Sequence, residues 1–264
     1  SSDKSYTYDR LSRNLYNPSL FMLAYQNIYA SPGNMTKGSD GNTIDAMSLN
    51  RIEGIIASLK NESYQPKPSR RTYIPKKNGK KRPLGIPSFD DKLVQECARL
   101  LLEAIYEGSF AKTSHGFRPN HSCHTALSQV QVNFTGVKWF VEGDIKGFFD
   151  NIDHDVMIHI LAERIKDERF LRLIRKFLKA GYLEDWVYHN TYSGTPQGGI
   201  ISPILANIYL DKLDCFVEKL KAEFDLGAQR AIHPVSYKLA MKHGTLAKKL
   251  RNSNSEEEKK ILTE

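Results

Sequence analysis

The chain has 264 residues, of which 40% are hydrophobic and 26% charged, and carries a net charge of +8. That length buries one large core or two modest ones, and the composition excludes a wholly disordered chain; no apolar run approaches the roughly 20 residues of a membrane span, so no membrane partner is expected. The excess of cations points to a polyanion such as nucleic acid, and three widely spaced cysteines (Cys97, Cys123, Cys215) point to a reduced, cytoplasmic protein rather than a disulfide scaffold.

Residues 31–42, "SPGNMTKGSDGN", read as a loop by composition. Ile44, Met47, Leu49, Ile52, Ile55, Ile56 and Leu59 then recur at helical spacing up to Asn61. The stretch "YQPKPSRRTYIPKKNGKKRPLGIP" is rich in β-formers around Asn78-Gly79, a hairpin signal. Ser88 is expected to cap a helix whose apolar stripe is Leu93, Val94, Cys97, Leu100, Leu101, Ala104 and Ile105. His121, Cys123 and His124 crowd together, but with no second ligand cluster at zinc spacing they read as an ordinary loop. Trp139, Phe140 and Val141 read as a short buried strand ending at Asp144. A helix is expected from Asp155 to Ile165 with Asp153 as its cap. Another is expected to open at Ser202-Pro203 and to bury Leu205, Ile208, Tyr209, Leu213, Phe216, Val217 and Leu220. Residues 245–264 turn polar and charged, as in a solvated helix or a mobile insertion. Strands interleaved with helices, without regular βαβ alternation, indicate an α+β fold.

A carboxylate at the end of a buried strand is costly unless a cation or hydrogen bonds compensate it. Asp144 is therefore a candidate ligand for a phosphoryl-transfer site in which two Mg²⁺ ions sit about 4 Å apart on rigidly held carboxylates. The simpler account of the spacing is that Asp144 caps the turn before Lys146-Gly147. Residues 70–82 contain seven cations, Arg70, Arg71, Lys76, Lys77, Lys80, Lys81 and Arg82. A ribbon this basic suits phosphate, although lysines also keep an edge hairpin soluble. The loop "GTPQGGIISP" (194–203) lets a polyanion approach a helix N-terminus, but it lacks the Lys-Ser/Thr ending of a P-loop and so disfavours ATPase chemistry.

In this order, "RRTYIPKKNGKKRPLGIP", "AKTSHGFRPNHSCHTAL", "WFVEGDIKGFFDNIDH" and "GTPQGGIISPILANIYLDKLD" resemble the first four sequence blocks of group II intron reverse transcriptases. The segment through Arg71 resembles the extra block these enzymes carry ahead of the fingers, so the resemblance spans residues 10–225. It implies a right-hand polymerase fold with fingers and an incomplete palm. The N-terminal extension and fingers would occupy residues 1–110, the first palm part 111–153, the second fingers part 154–195, and a palm helix with the start of an insertion 196–264. It further implies an RNA-directed DNA polymerase acting on intron and template RNA, with deoxynucleotides and two Mg²⁺ ions. By position, Asp144 matches the first metal-binding aspartate, with the Ile145 carbonyl as a backbone ligand. Phe149 matches the aromatic residue beneath the nucleotide sugar, whose bulk excludes a 2′-hydroxyl. Lys76 and Arg82 match the cations that hold the incoming triphosphate, and Gln197 matches the glutamine beside the nucleotide. Arg70, Arg71, Lys77, Lys80 and Lys81 are expected to contact RNA, and Arg118 of "GFRP" to serve template positioning or palm structure.

The resemblance stops short of one block, the aromatic-x-Asp-Asp turn that the family carries after the Pro-Gln-Gly loop. "FDD" (89–91) lies upstream and reads as helix capping, and "YLEDW" (182–186) also precedes that loop. The chain is thus expected to be a fragment inactive on its own. The alternative is a non-catalytic RNA-binding role that assists intron splicing; an RNA-templated RNA polymerase is disfavoured by Phe149. A homo-oligomer is compatible with the sequence, but nothing in it indicates one. A two-residue Asn78-Gly79 turn would set Lys76 opposite Lys81. A three-residue loop with Gly79 left-handed would set Lys76 opposite Lys80 and place Ile74, Lys76, Arg82 and Leu84 on one face, where both matched cations can act together. The longer loop is the expectation.

Overall fold

In the computed structural model, which describes residues 3–31, 33, 35–75, 79–137, 139–195, 198–224 and 232–252, a 3-10 turn (Leu11–Tyr16) leads into α1 (Pro18–Tyr29). Asn17 caps α1 by accepting from the Ser19 amide, and Pro18 sits where a missing N–H is harmless. The helical periodicity read from Ile44 divides in two. Ile44–Ala46 form a separate 3-10 turn, and α2 (Leu49–Lys60) starts afresh because the Ser48 hydroxyl accepts from the Arg51 amide and fixes a new N-terminus. Next come β1 (Ser69–Pro75), β2 (Lys81–Ile86) and α3 (Phe89–Tyr106), the last capped by Ser88 as expected.

The chain continues through α4 (Cys123–Asn133), α5 (Phe148–Asn151), α6 (His154–Arg164) and α7 (Glu168–Leu178). It then forms β3 (Tyr182–Glu184), β4 (Val187–His189), α8 (Ser202–Phe224) and α9 (Pro234–Asn252). Residues 1–217 and 218–264 are two compact units. α9 carries no buried residue, so the charged tract from 245 to 252 is a solvated helix. No described helix is long and apolar enough to cross a membrane.

One continuous apolar core lies within the first unit and is built around α3. It unites Leu93, Val94, Cys97 and Leu102 of α3 with Phe21 and Ala24 of α1, Ile52 and Ile56 of α2, Met157 and Leu161 of α6, and Phe170, Ile174 and Phe177 of α7. Burial of side chains this size stabilises the fold by about 1.5–3 kcal/mol each relative to exposure. "FDD" turns out to be more than a cap. Asp91 is buried and accepts from the Ser88 and Tyr64 hydroxyls at 2.6 Å each and from the Lys67 amide at 2.9 Å, tying the chain before β1 to α3.

The sheet has the order β2-β1-β3-β4, with β1 antiparallel to β2, parallel to β3, and β3 antiparallel to β4. Two distant parts of the chain thus share one sheet.

Two expectations are corrected. Trp139, Phe140 and Val141 form no strand and are 81%, 65% and 93% exposed. β-propensity without a pairing partner leaves backbone groups to water, and no described strand pairs with this run. On α8, Leu205 and Ile208 are buried and Tyr209 packs on the core, but Leu213, Phe216, Val217 and Leu220 are exposed. Periodicity fixes which face of a helix is apolar, not how far the core beneath it extends.

The N-terminal turn is held by Asp167, which caps α7 through the Arg169 and Phe170 amides and accepts from the Ser12 amide and hydroxyl at 2.8 and 2.7 Å. Burial alone would raise its pKa, but these bonds together hold the carboxyl below its ordinary value. Its stabilisation is therefore fully present above the unfolded pKa of about 3.9 and lost as pH falls through the lower folded value. Asp167→Ala is expected to cost about 2–3 kcal/mol in urea denaturation at pH 7, with the gap from the parent closing below pH ~4.

Candidate functional site

β1 and β2 pair with Ile74 opposite Arg82 and Pro75 opposite Lys81. This register excludes Lys76 opposite Lys81 and is the one a three-residue loop requires; Gly79 is left-handed, at φ +77°. Alternation sets Thr72, Ile74, Arg82 and Leu84 on one face and Arg71, Tyr73, Lys81 and Pro83 on the other. Lys76, Lys77 and Gln197, all expected in the site, lie outside the described residues.

On the Arg71 face a polar ladder joins the two halves of the sheet. The Arg71 guanidinium lies over the Tyr182 ring, 3.4 Å from its centroid, and 3.5 Å from the Glu184 carboxylate. Tyr182 stacks in turn on His189, with centroids 4.9 Å apart. The Tyr73 hydroxyl donates to Glu184, and that bond, reinforced by Arg71, holds the Glu184 carboxyl below its ordinary pKa. Arg70 donates to the Lys37 carbonyl at 3.0 Å. Arg70 and Arg71 are thus anchored within the protein, whereas Lys80, Lys81 and Arg82 are exposed at the hairpin end. The acid of "YLEDW" was legible in the sequence; its role in pairing two strands over a hundred residues apart was not.

α5 carries Phe149 and is fixed by the loop that follows β4. The Gly194 amide donates to the Ile152 carbonyl and the Thr195 amide to the Phe149 carbonyl, both at 2.7 Å. His154 Nε2 bonds the Gly194 carbonyl at 2.7 Å, and the Ser193 hydroxyl donates to the Asp150 carbonyl at 2.9 Å. Gly194 has φ +85°, and a Cβ there would lie 2.5 Å from the Phe149 carbonyl oxygen. The half-buried Phe149 lines a cleft of about 330 Å³ with Arg71, Pro83, Tyr182, Asn190 and Tyr192. Gly198 meets the hairpin on its opposite side, where a Cβ on it would lie 2.5 Å from the Gly85 carbonyl and 2.8 Å from Leu84. The fold therefore gathers Phe149, the hairpin and the loop, but with Phe149 beside Arg71 and Pro83 and with Leu84, on Arg82's face, beside Gly198.

Asp144 is exposed and makes no hydrogen bond or ion pair among the described residues, so it neither ends a buried strand nor caps the turn at Gly147. Ile145 is half exposed beside it. Among the described residues no group of three or more His, Cys, Asp or Glu side chains is placed to hold a metal. One carboxylate and one carbonyl do not make up a two-magnesium donor set. Of the two roles expected of Arg118, template positioning or palm structure, its contacts fit the structural one. Its guanidinium is nearly buried and uses all five N–H donors on Glu107, Ala111 and Ser114. Its role is to hold together the loop between α3 and α4.

The profile of the family described as reverse transcriptase (RNA-dependent DNA polymerase) matches residues 74–230. The chain is 53% identical over 258 residues to the group II intron-encoded protein LtrA of Lactococcus lactis subsp. cremoris, covering 97% of this chain and 43% of that protein. It is 47% identical to an uncharacterized 91 kDa protein in the cob intron of Schizosaccharomyces pombe, covering 99% of this chain and 33% of that protein. The chain thus spans less than half the length of these relatives. Among solved structures, a partial Cas6-RT-Cas1–Cas2 complex matches with a TM-score of 0.53 at 23% identity, over 79% of this chain and 35% of that one, which is a likeness of fold.

The close approach at Gly194 makes a sharp test. Gly194→Ala places a Cβ against the α5 backbone at a left-handed φ and is expected to destabilise the first unit by about 2–4 kcal/mol. Limited proteolysis should show faster cleavage within residues 190–200 than in the parent, and equal rates would show that the loop does not depend on this contact.

Proposed function

The chain belongs to the reverse transcriptase family, and from that premise we propose that it forms the fingers and first palm part of a group II intron-encoded RNA-directed DNA polymerase. In this reading residues 1–110 and 154–195 are fingers, 111–153 the first part of the palm, and the protein works in the cytoplasm on intron RNA, template RNA and deoxynucleotides. The observation that carries it is the convergence of Phe149, the basic hairpin and Gly198. Lys80, Lys81 and Arg82 project exposed ammonium and guanidinium groups that neutralise phosphate, and phosphate contacts give affinity without reading sequence. The bond from the Thr195 amide to the Phe149 carbonyl positions the Phe149 backbone, and a ring at that position is bulky enough to exclude an extra sugar hydroxyl.

Magnesium, when bound, would supply charge stabilisation to nucleotidyl transfer. Of this chain's residues, Asp144 and the Ile145 carbonyl are those assigned to it. They do not complete the site, so chemistry is assigned to this chain only together with further carboxylates. A second reading, RNA binding that assists splicing without nucleotidyl transfer, is supported by Asp144 belonging to no group of three or more potential metal ligands among the described residues.

The chain alone is expected to bind structured RNA in a salt-sensitive manner without extending a primer. Lys80→Gln with Lys81→Gln should weaken binding and flatten the slope of log K against log salt by about 1–2. Steady primer extension by the pure chain would refute the incomplete site, and an unchanged slope would move the RNA elsewhere. In a polymerase containing this chain, Asp144→Asn should abolish synthesis and leave RNA affinity within about twofold, since an exposed carboxylate adds little to binding. Phe149→Val should instead raise ribonucleotide incorporation relative to deoxynucleotide, which a misincorporation assay reads directly.

A further inference from the structure

On the Leu84 face of the hairpin, a second cleft of about 500 Å³ opens between the end of α1, β2 and the Gly198 loop. Gly38 packs so closely on Pro87 and Ser88 that a Cβ would lie 2.7 Å from the Ser88 Cα, and Gly198 abuts β2 as described. Lys92, in the first turns of α3, lines this cleft and is half-buried.

The acids around it are all committed elsewhere. Asp90 pairs with Arg51 at 2.7 Å, and Asp91 takes the Tyr64, Lys67 and Ser88 donors. Glu96, four residues on and at the spacing that ordinarily pairs with a lysine, instead accepts from Arg99 at 2.7 and 2.8 Å and from Asn27 at 2.9 Å. Lys92 has no ion pair among the described residues, and burial lowers its pKa with no carboxylate to offset the loss of water. A half-buried ammonium without a counter-charge is a standing cost to the fold. Its cleft has Gly198 on one side and the strand of Arg82 on another, so the missing partner is an anion that arrives there.

We propose that Lys92 is a phosphate-binding residue, whose ammonium pairs with a phosphate of a nucleic-acid strand or nucleotide lodged in the cleft between α1, β2 and the Gly198 loop. The assignment rests on the polymerase reading above and adds a contact outside the basic hairpin. Phosphodiester backbone and triphosphate share this chemistry, and two probes separate them: inorganic tripolyphosphate, and an RNA single strand lacking a terminal phosphate.

Lys92→Met keeps the length of the side chain and removes its charge. It is expected to weaken binding of at least one probe by about tenfold, as for loss of one charge-assisted hydrogen bond. On the RNA arm it should also lower the salt slope by about 0.7. Lys92→Arg should restore most of either loss. Thermal denaturation should show Lys92→Met no less stable than the parent, because a residue of merely structural value would lose stability without moving the salt slope. Loss on the tripolyphosphate arm alone assigns the ammonium to the nucleotide, and loss on the RNA arm alone assigns it to the strand. Parent-like binding of both probes by Lys92→Met overturns the proposal. If Lys92→Met fails to fold, acylation of the parent chain decides the matter: either probe should protect Lys92, and equal labelling with and without both overturns it. The Lys80→Gln, Lys81→Gln variant serves as the control. If it loses RNA affinity while Lys92→Met does not, only the Lys92 assignment fails; if neither does, the RNA-binding reading fails with it.

Discussion

The arrangement of the cleft depends on one backbone contact, the seating of Gly194 against α5. With no side chain, Gly194 approaches closely enough for its amide and that of Thr195 to reach the Ile152 and Phe149 carbonyls, both at 2.7 Å. His154, buried beneath, closes the contact through the Gly194 carbonyl. α5 has only four residues and could not hold its own position, since so short a helix satisfies few of its backbone groups. The loop supplies what the helix lacks, and the backbone at Phe149 is positioned by it.

A second constraint is the sharing of a sheet by two chain segments. The parallel pairing of Ser69 and Arg70 with Tyr182 and Leu183 docks the β3–β4 hairpin onto the basic one. Short β3 and β4 would be marginal alone. The Arg71, Tyr182 and Glu184 ladder adds a charge-assisted contact on one face, and Gly181 permits the tight return that brings β4 alongside, a Cβ there lying 2.6 Å from the His189 carbonyl. Arg70 and Arg71, near the base of the sheet, are thereby compensated internally.

Charge is distributed on the same logic within α3. Its buried acids each hold a specific donor, Asp91 fastening the approach to β1 and Glu96 fastening Arg99 and Asn27. Outside the core, the apolar run at 139–141 and the distal turns of α8 are left uncovered. Both are apolar enough to bury, and neither contributes a residue to the core.

Local chemistry was decided by the sequence itself. The caps at Ser88 and Asp153, the helices beginning at Phe89, His154 and Ser202, and the hairpin around Gly79 all follow from short-range rules that need only a few neighbouring residues. The order of four long blocks also carried the family, because such order is far rarer than any one motif. Tertiary structure alone decided what those rules cannot reach. Which apolar faces are covered depends on how far the core extends, so the strand expected at Trp139 and the distal face of α8 stayed exposed. Whether a cation is free depends on acceptors brought in from elsewhere, so Arg118 and Arg71 were claimed by the protein and Lys92 was left uncompensated. Propensity and periodicity act over a few residues; burial and charge compensation act across the whole fold.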